Sequence, residues 1–131
     1  MRLPDWQLRL AEFGQARASM PFRWGSNDCC SFAAAAVEAI TGANPMADVA
    51  PYASEIGALQ LISGAGGLRP LVSSFLGEEI APRMAAVGDV VLVLNAEREM
   101  LGICNGTNVL APGEKRMEAI HMDAAVAAWK I

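Results

Sequence analysis

The stretch from Cys29 to Ile40 constrains the fold most, because its apolar residues repeat at the spacing of one helix face. They fall at i, i+3, i+4, i+7, i+8 and i+11, which makes one continuous stripe. The members are Cys29, Phe32, Ala33, Ala36, Val37 and Ile40. Asn27 or Asp28 can cap the first turn. The pattern predicts a helix with Cys29 on its buried face and Cys30 turned about 100° away.

Three further helices are predicted from apolar spacing and capping residues. The first depends on Trp6, Leu10 and Phe13, which recur at helical spacing, and Met20-Pro21 ends it because proline disfavours helix in the residue before it. The predicted ranges are residues 3 to 20, 54 to 62 and 68 to 76, with a loop at 43 to 53.

The last third of the chain changes to β patterning. Its predicted strands are Val90 to Leu94, Met100 to Cys104, Asn108 to Ala111 and Met117 to His121. The first is rich in β-branched residues, and Asn105-Gly106 is a hairpin signal. Asp123 to Trp129 is predicted to close as a short helix, with Trp129 in the core. Helices followed by an antiparallel sheet predict an α+β fold in a single domain over residues 1-131.

Composition narrows the classes of function. The 131 residues carry a net charge of -4, whereas a nucleic-acid-binding domain would normally be basic. The apolar runs are too short for a membrane helix, and the first residues lack the apolar core of a secretory signal. We therefore expect no nucleic-acid partner, no membrane insertion and no signal peptide. Because only 18% of the residues are charged, much of the surface is weakly charged, as expected of a domain docked in an assembly.

The cysteines are odd in number, and two of them are adjacent: Cys29, Cys30 and Cys104. This is a poor disulfide framework and favours a reducing compartment. Cys29 opens a helix, where the helix dipole and the free N–H groups favour a thiolate. Free cysteine is also among the most buried residue types, so the same position suits a core residue. Spacing alone leaves both interpretations open.

Metal binding is the other chemistry that cysteines suggest. Cys29, Cys30, Cys104 and His121 make up a ligand set by count, but the usual Cys-x₂₋₄-Cys spacing of a zinc site is absent. We therefore expect no metal and no cofactor. We expect instead that Cys104 lies close to Cys29, as an oxidation-sensitive pair.

Residues 22 to 32 resemble the start of the NlpC-type cysteine peptidase domain. That family has a Gly, a short spacer and Asp-Cys-x-x-Phe opening its nucleophile helix, and the matching residues here are Gly25, Asp28, Cys29 and Phe32. Residues 88 to 91 resemble its Gly-Asp-Leu-Val strand, and residues 100 to 106 resemble its His-Val-Gly-Ile-Tyr-x-Gly strand. The resemblance implies a papain-like fold with Cys29 at the nucleophile position.

A phage-associated subgroup of this superfamily, found among tail genes of phages, prophages and gene transfer agents, is similar over nearly the whole chain. The matching segments are Leu3-Pro4-Asp5-Trp6, residues 24 to 29 ending in Asp28-Cys29, Thr41-Gly42 and Ala128-Trp129-Lys130-Ile131. Each segment is short, and their order is what makes the resemblance specific.

Met100 stands where the family has its histidine general base. A thioether cannot take a proton from a thiol, and general base help is worth about 10²–10⁴-fold, so the resemblance implies a degenerate site. His121 is a weak substitute, because no motif surrounds it. Strand alternation predicts that Glu99 points opposite to Met100 and away from Cys29. We expect Met100 to face Cys29, with no ionisable side chain within hydrogen-bond reach of that sulfur.

The resemblance also implies a cleft around Cys29. Its candidate residues are Trp24, Gly25, Asp28, Gly102 and Asn108. Trp24 either forms a wall of the cleft or anchors its loop by packing. Gly25 and Gly102 are expected to permit close approach of backbone, and Asn108 is the nearest polar candidate for the third residue of a triad.

Three functions from different classes follow from these features. The first is a structural or assembly component of a phage or gene-transfer-agent tail, a pseudoenzyme with tail or baseplate proteins as partners. Such a component would be found in the virion tail, or in the bacterial cytoplasm during assembly. The second is an active cysteine hydrolase that cleaves peptidoglycan stem peptides during infection. The third is a host cytosolic binding module, which no feature specifically favours.

Overall fold

Four helices precede a five-stranded antiparallel sheet in the computed structural model, which describes residues 1–131. The helices are α1 (Trp6–Arg17), α2 (Cys29–Thr41), α3 (Glu55–Gly64) and α4 (Leu68–Leu76). The strands are β1 (Val90–Asn95), β2 (Arg98–Cys104), β3 (Asn108–Pro112), β4 (Met117–His121) and β5 (Ala125–Trp129), in the spatial order β4-β3-β2-β1-β5. The predicted α+β class is confirmed. None of the four helices has both the length and the apolar character needed to span a bilayer.

Both faces of the sheet are covered. Helices α2 and α4 pack over one face. They contact Trp129 of β5 and alternate residues of the two central strands, which are Val90, Leu92, Leu101 and Ile103. The intervening residues form a second cluster on the opposite face, which includes Val91, Val93, Cys104, Val109, Ala111 and Ile120. Irregular segments around Ile80, Ala85 and Met122 pack against that cluster. Because successive strand residues point to opposite faces, this alternation decides which side chains reach α2.

Helix α2 buries a wider face than its sequence pattern predicts. Cys30 is only 7% exposed and lies in the main core cluster, whereas Cys29 is half-buried. Cys29 packs against that cluster, as predicted, but is only partly buried, and the prediction that Cys30 turns away from the core is wrong. Ala33 and Ala34 are both buried, and such small side chains let α2 lie close to α4 as well as to the sheet. The buried face therefore extends around the helix as far as Cys30.

Two predicted helices differ from the observed elements. Helix α1 ends at Arg17 rather than near residue 20, because the following residues bond to the sheet: Met117 N–H donates to the Ala18 carbonyl and Phe22 N–H to the Gly113 carbonyl. The predicted closing helix is instead a single 3-10 turn followed by strand β5. Its alanines favour a helix, but pairing with β1 satisfies the backbone of both strands and takes precedence.

The fully buried carboxylate of Asp89 joins segments that are distant in sequence. Its Oδ1 accepts hydrogen bonds from Arg2 and from the Ile131 N–H, both at 3.0 Å, and its Oδ2 accepts one from the Ala86 N–H at 2.9 Å. Arg2 also lies over the Trp6 ring, 4.1 Å from the centroid. A buried charge is tolerated only when it is paired and hydrogen-bonded, so Asp89 fixes α1, β1 and β5 relative to one another.

Substitution of Arg2 by Met should reduce the free energy of unfolding by about 3 kcal/mol, because it leaves the buried Asp89 carboxylate without a counter-charge. The measurement is urea unfolding at pH 7. The matched control is Arg69→Met, which removes an arginine from the solvent-exposed pair with Glu79 and should leave the midpoint nearly unchanged. Equal midpoints for the two variants would contradict the role given to Asp89.

Candidate functional site

Asp28 closes the first turn of α2 and fixes the loop before it. Its Oδ1 accepts a hydrogen bond from the Ser31 N–H at 2.8 Å, and the Ser31 hydroxyl oxygen accepts one from the Asp28 N–H at 3.0 Å. Its Oδ2 accepts a third from the Gly25 N–H at 2.7 Å. This reciprocal capping box satisfies the free N–H groups at the helix start. The buried carboxylate therefore sets the position of the next residue, Cys29.

Gly25 brings the loop before α2 against the loop before α3. Its φ is +83°, and a Cβ there would lie 1.9 Å from the carbonyl oxygen of Tyr52. Burial raises the pKa of Tyr52, and hydrogen bonding to Asp28 raises it further, so the phenol stays protonated at neutral pH. Tyr52 is not among the site residues predicted from the sequence, and its only signal there is that it is the single tyrosine of the chain.

The Cys29 and Cys30 thiols are hydrogen-bonded to each other at this helix start. That bond is the main cause that lowers the pKa of Cys29, and the Leu101 main chain and the Arg98 charge lower it further, whereas burial and Asp28 raise it. The same bond, followed by burial, raises the pKa of Cys30 far above neutrality. Cys29 therefore ionises before Cys30, which stays protonated near neutral pH.

Met100 lies on the opposite face of the sheet from α2. It pairs with Val93 and packs against the second cluster, whereas its neighbour Leu101 belongs to the cluster under α2. By the same alternation Glu99 is on the α2 face. The expectations that Met100 faces Cys29 and that Glu99 faces away are therefore both wrong.

The expectation of an isolated Cys29 sulfur is also wrong, because the Cys30 thiol lies within hydrogen-bond reach. The period of a strand shows which residues share a face, but it does not show which face meets the helix. Cys30 directly follows Cys29 in the sequence, but the helix prediction oriented its side chain away from the Cys29 sulfur.

His121 and Asn108 lie at the other end of the sheet from Cys29. They pair with each other across β3 and β4, beside the β2–β3 turn. Ile40, near the C-terminal end of α2, lies at this same end of the sheet, whereas Cys29 is at the N-terminal end of α2. The His121 side chain is 72% exposed, and its Nδ1 accepts a hydrogen bond from the Asp123 N–H at 3.1 Å. The structure therefore brings neither His121 nor Asn108 to the Cys29 thiol.

Cys104 is buried in the cluster on the far face of the sheet, where its Sγ accepts a hydrogen bond from the Gly106 N–H at 3.4 Å. It shares a strand face with Met100, as expected, but that face is turned away from α2. The expected proximity of Cys29 and Cys104 is therefore wrong. No three His, Cys, Asp or Glu side chains are grouped in a way that could hold a metal ion.

The remaining cleft candidates have structural contacts of their own. Trp24 is half-buried and packs edge-on against Phe22, with ring centroids 4.7 Å apart. Gly102 lies where β2 approaches β3, and a Cβ there would be 2.4 Å from the Leu110 carbonyl oxygen. Trp24 thus steadies the loop that Asp28 fixes, and Gly102 permits the close packing of the two strands.

The fold and the site define an α+β domain in which a capped central helix begins with two adjacent thiols. A model of a domain family of unknown function, DUF6950, matches residues 1–131, and the chain belongs to that family. Neither the comparison with curated proteins nor that with solved structures gave a match.

Substitution of Gly25 by Ala should lower the free energy of unfolding by at least about 2 kcal/mol, because the new Cβ meets the Tyr52 carbonyl and the positive φ disfavours alanine. Urea unfolding measures the loss. Gly14→Ala in α1 is the matched control: a Cβ there meets no atom within 4 Å, so helix propensity should leave the protein as stable or stabilise it slightly. Equal losses in the two variants would contradict the tight contact at Gly25.

Proposed function

We propose that this chain is a non-hydrolytic structural or assembly component of a phage or gene-transfer-agent tail, with a papain-like NlpC-type fold and a degenerate catalytic site. The tail assignment depends on the ordered motifs that resemble the phage-associated subgroup. The observation that carries the non-hydrolytic part is the surroundings of Cys29, where the Cys30 thiol remains protonated and from which the single histidine of the chain, His121, is distant.

Peptide hydrolysis by a cysteine nucleophile needs a group that removes the proton of the thiol and returns a proton to the leaving amine. Cys30 can donate a hydrogen bond, but its raised pKa prevents it from accepting a proton near neutral pH. Arg98 is cationic and cannot accept a proton either. The Asp28 carboxylate is occupied as the cap of α2, and the Tyr52 phenol, with its raised pKa, stays protonated. The neighbours of Cys29 therefore include no group that both removes its proton and returns one to the leaving amine near neutral pH.

The surface also supports a role inside an assembly. Exposed apolar side chains occur on several elements, among them Ile56 and Leu59 of α3, and Met84. The chain as a whole has 18% charged residues. Apolar and weakly charged surfaces mark interaction sites, and tail or baseplate proteins are the partners that fit the resemblance.

Mass spectrometry of purified particles and of tail assembly intermediates tests the tail assignment. We expect peptides of this chain in at least one of these preparations, at a constant ratio to known tail proteins across gradient fractions. Absence from both preparations would overturn the assignment. Recovery only in complexes with proteins of an uninfected host would favour the host binding module instead.

An active peptidoglycan hydrolase is the second candidate, and the lowered pKa of Cys29 is the observation that favours it. Incubation of the protein with purified stem-peptide fragments distinguishes the two. We expect no cleavage above that of the Cys29→Ala variant, whereas a known peptidoglycan hydrolase serves as the positive control. Cleavage that depends on Cys29 would replace the structural role with an enzymatic one.

Introduction of histidine at the position of the family's base should not create a hydrolase. In Met100→His the imidazole would start from the strand face opposite α2 and could not reach the Cys29 sulfur. We expect fragment cleavage by this variant to equal that of Cys29→Ala. Cleavage by Met100→His that is lost in the double variant with Cys29→Ala would show that position 100 does face the thiol.

A further inference from the structure

The helices cover the sheet unevenly. Helix α2 packs on β2 and β3, and α4 packs on β5. One row of paired residues on this face, Ile103, Leu110 and Ala119, runs from β2 across β3 to β4. Ile103 is buried, Leu110 is half-buried and Ala119 is exposed. The apolar face of the sheet is therefore incompletely covered toward β4.

Helix α1 lies beside this region but does not fill it. No residue of α1 is fully buried, although Leu10 and Phe13 pack against the main core cluster. The Phe13 ring contacts the Phe32 ring of α2, with centroids 5.1 Å apart. Between α1 and strands β2 and β3 there remains a cavity of about 290 Å³.

Polar bonds along α1 keep this cavity open. Arg9 donates from its Nε to the Ala39 carbonyl at 2.6 Å, and Arg17 donates to the Asn27 side-chain oxygen at 2.9 Å. The buried network around Asp89 holds the chain just before the helix. A shift of α1 onto the sheet would break these bonds, and a partly buried donor or acceptor that loses its partner is costly. The cavity is therefore preformed.

The walls of the cavity are apolar and uncharged. Ten of the thirteen lining residues are hydrophobic and none is charged, so an ionised group inside would have no counter-charge. Gln7 and Asn105 line the cavity and are exposed, so they lie where it opens to solvent. The Asn105 Oδ1 accepts a hydrogen bond from the Asn108 N–H, which leaves the amide N–H groups of Asn105 to donate. The main apolar lining residues are Trp6, Leu10, Phe13, Phe32, Ile103 and Leu110.

We propose that the cavity between α1 and the sheet binds a small, uncharged and largely apolar molecule, with Gln7 and Asn105 at the opening to receive one polar group. Its volume is close to the lower end of ligand pockets, about 300–1,000 Å³, and such pockets are mostly apolar with a few polar groups. An inserted peptide segment would bring backbone N–H and C=O groups that these walls cannot pair. The inference is independent of the tail assignment, since it uses only the packing of α1.

Indole is the probe that tests the site, because it is small, neutral and apolar with one N–H donor. Methyl NMR spectra recorded during a titration at pH 7 should show saturable shifts at Leu10, Ile103 and Leu110, with one indole bound per chain. The methyl groups of Ile56 and Leu59, exposed on α3, should not shift. Shifts centred on α3, or no saturable shift up to the solubility limit of indole, would overturn the proposal.

The charge of the ligand is tested with indole-5-carboxylate, which keeps the same ring system but is an anion at pH 7. Because the cavity has no cationic side chain in its walls, this compound should bind at least about tenfold more weakly than indole. Equal affinities of the two compounds would contradict the uncharged class of ligand.

The location is tested with variants of α1 that fill the cavity. Ala11→Phe adds a ring to the lining, and Gly14→Leu extends into space where a Cβ meets no atom within 4 Å. Each should weaken indole binding at least about tenfold. Ala16→Phe is the matched control, since Ala16 is exposed on the same helix and does not line the cavity, and it should bind indole as the wild type does.

Urea unfolding shows that each variant is folded and gives a second measure of binding. Saturating indole should raise the unfolding midpoint of the wild type and of Ala16→Phe, but not that of the two filled variants, because a ligand stabilises only the state that binds it. Wild-type affinity in a folded Ala11→Phe or Gly14→Leu variant would refute the assigned location. A loss of similar size in Ala16→Phe would refute it as well.

Discussion

The buried carboxylate of Asp28 is the interaction on which the candidate site depends. It holds the first turn of α2, accepts a hydrogen bond from the Gly25 N–H, and helps to raise the pKa of the Tyr52 phenol. An unpaired carboxylate in that position would be costly, so these partners are ordered together. Because α2 is clamped at its first turn, the Cys29 thiol is held against β2. The surroundings of that thiol are therefore set by the loop packing as much as by the helix itself.

The sequence predicts local structure well where a single period dominates. Helix α2 follows from its apolar spacing, and the sheet follows from β-branched content and the Asn105-Gly106 turn. The prediction fails where a tertiary contact opposes a local preference: the alanines of the segment Ala125–Trp129 favour a helix, but the edge of β1 offers a ladder of hydrogen bonds. Such an edge is a property of the assembled sheet and cannot be seen in the segment itself.

The candidate site was predictable only in part, for a similar reason. Asp28 and Cys29 are adjacent to a helix start, so capping and dipole arguments identify them from local sequence. Tyr52 comes from a separate loop, and the orientation of Met100 depends on which strand face meets α2. Alternation shows which residues of a strand share a face, but only the packing of the helices decides which of the two faces meets α2. Long-range placement is therefore the information that the sequence pattern lacks.

Replacing a base with a hydrogen-bond donor changes what a thiol can do. A histidine cycles a proton and so permits turnover, whereas Cys30, with its raised pKa, can only stabilise the Cys29 anion. A stabilised anion without a group that cycles its proton cannot complete peptide hydrolysis. The start of α2 therefore places a thiol whose neighbours favour its ionisation where the NlpC-type resemblance implies a nucleophile, whereas the strand face that carries Met100, the position of the implied base, is turned the other way. The two halves of the implied site thus lie on opposite sides of one sheet.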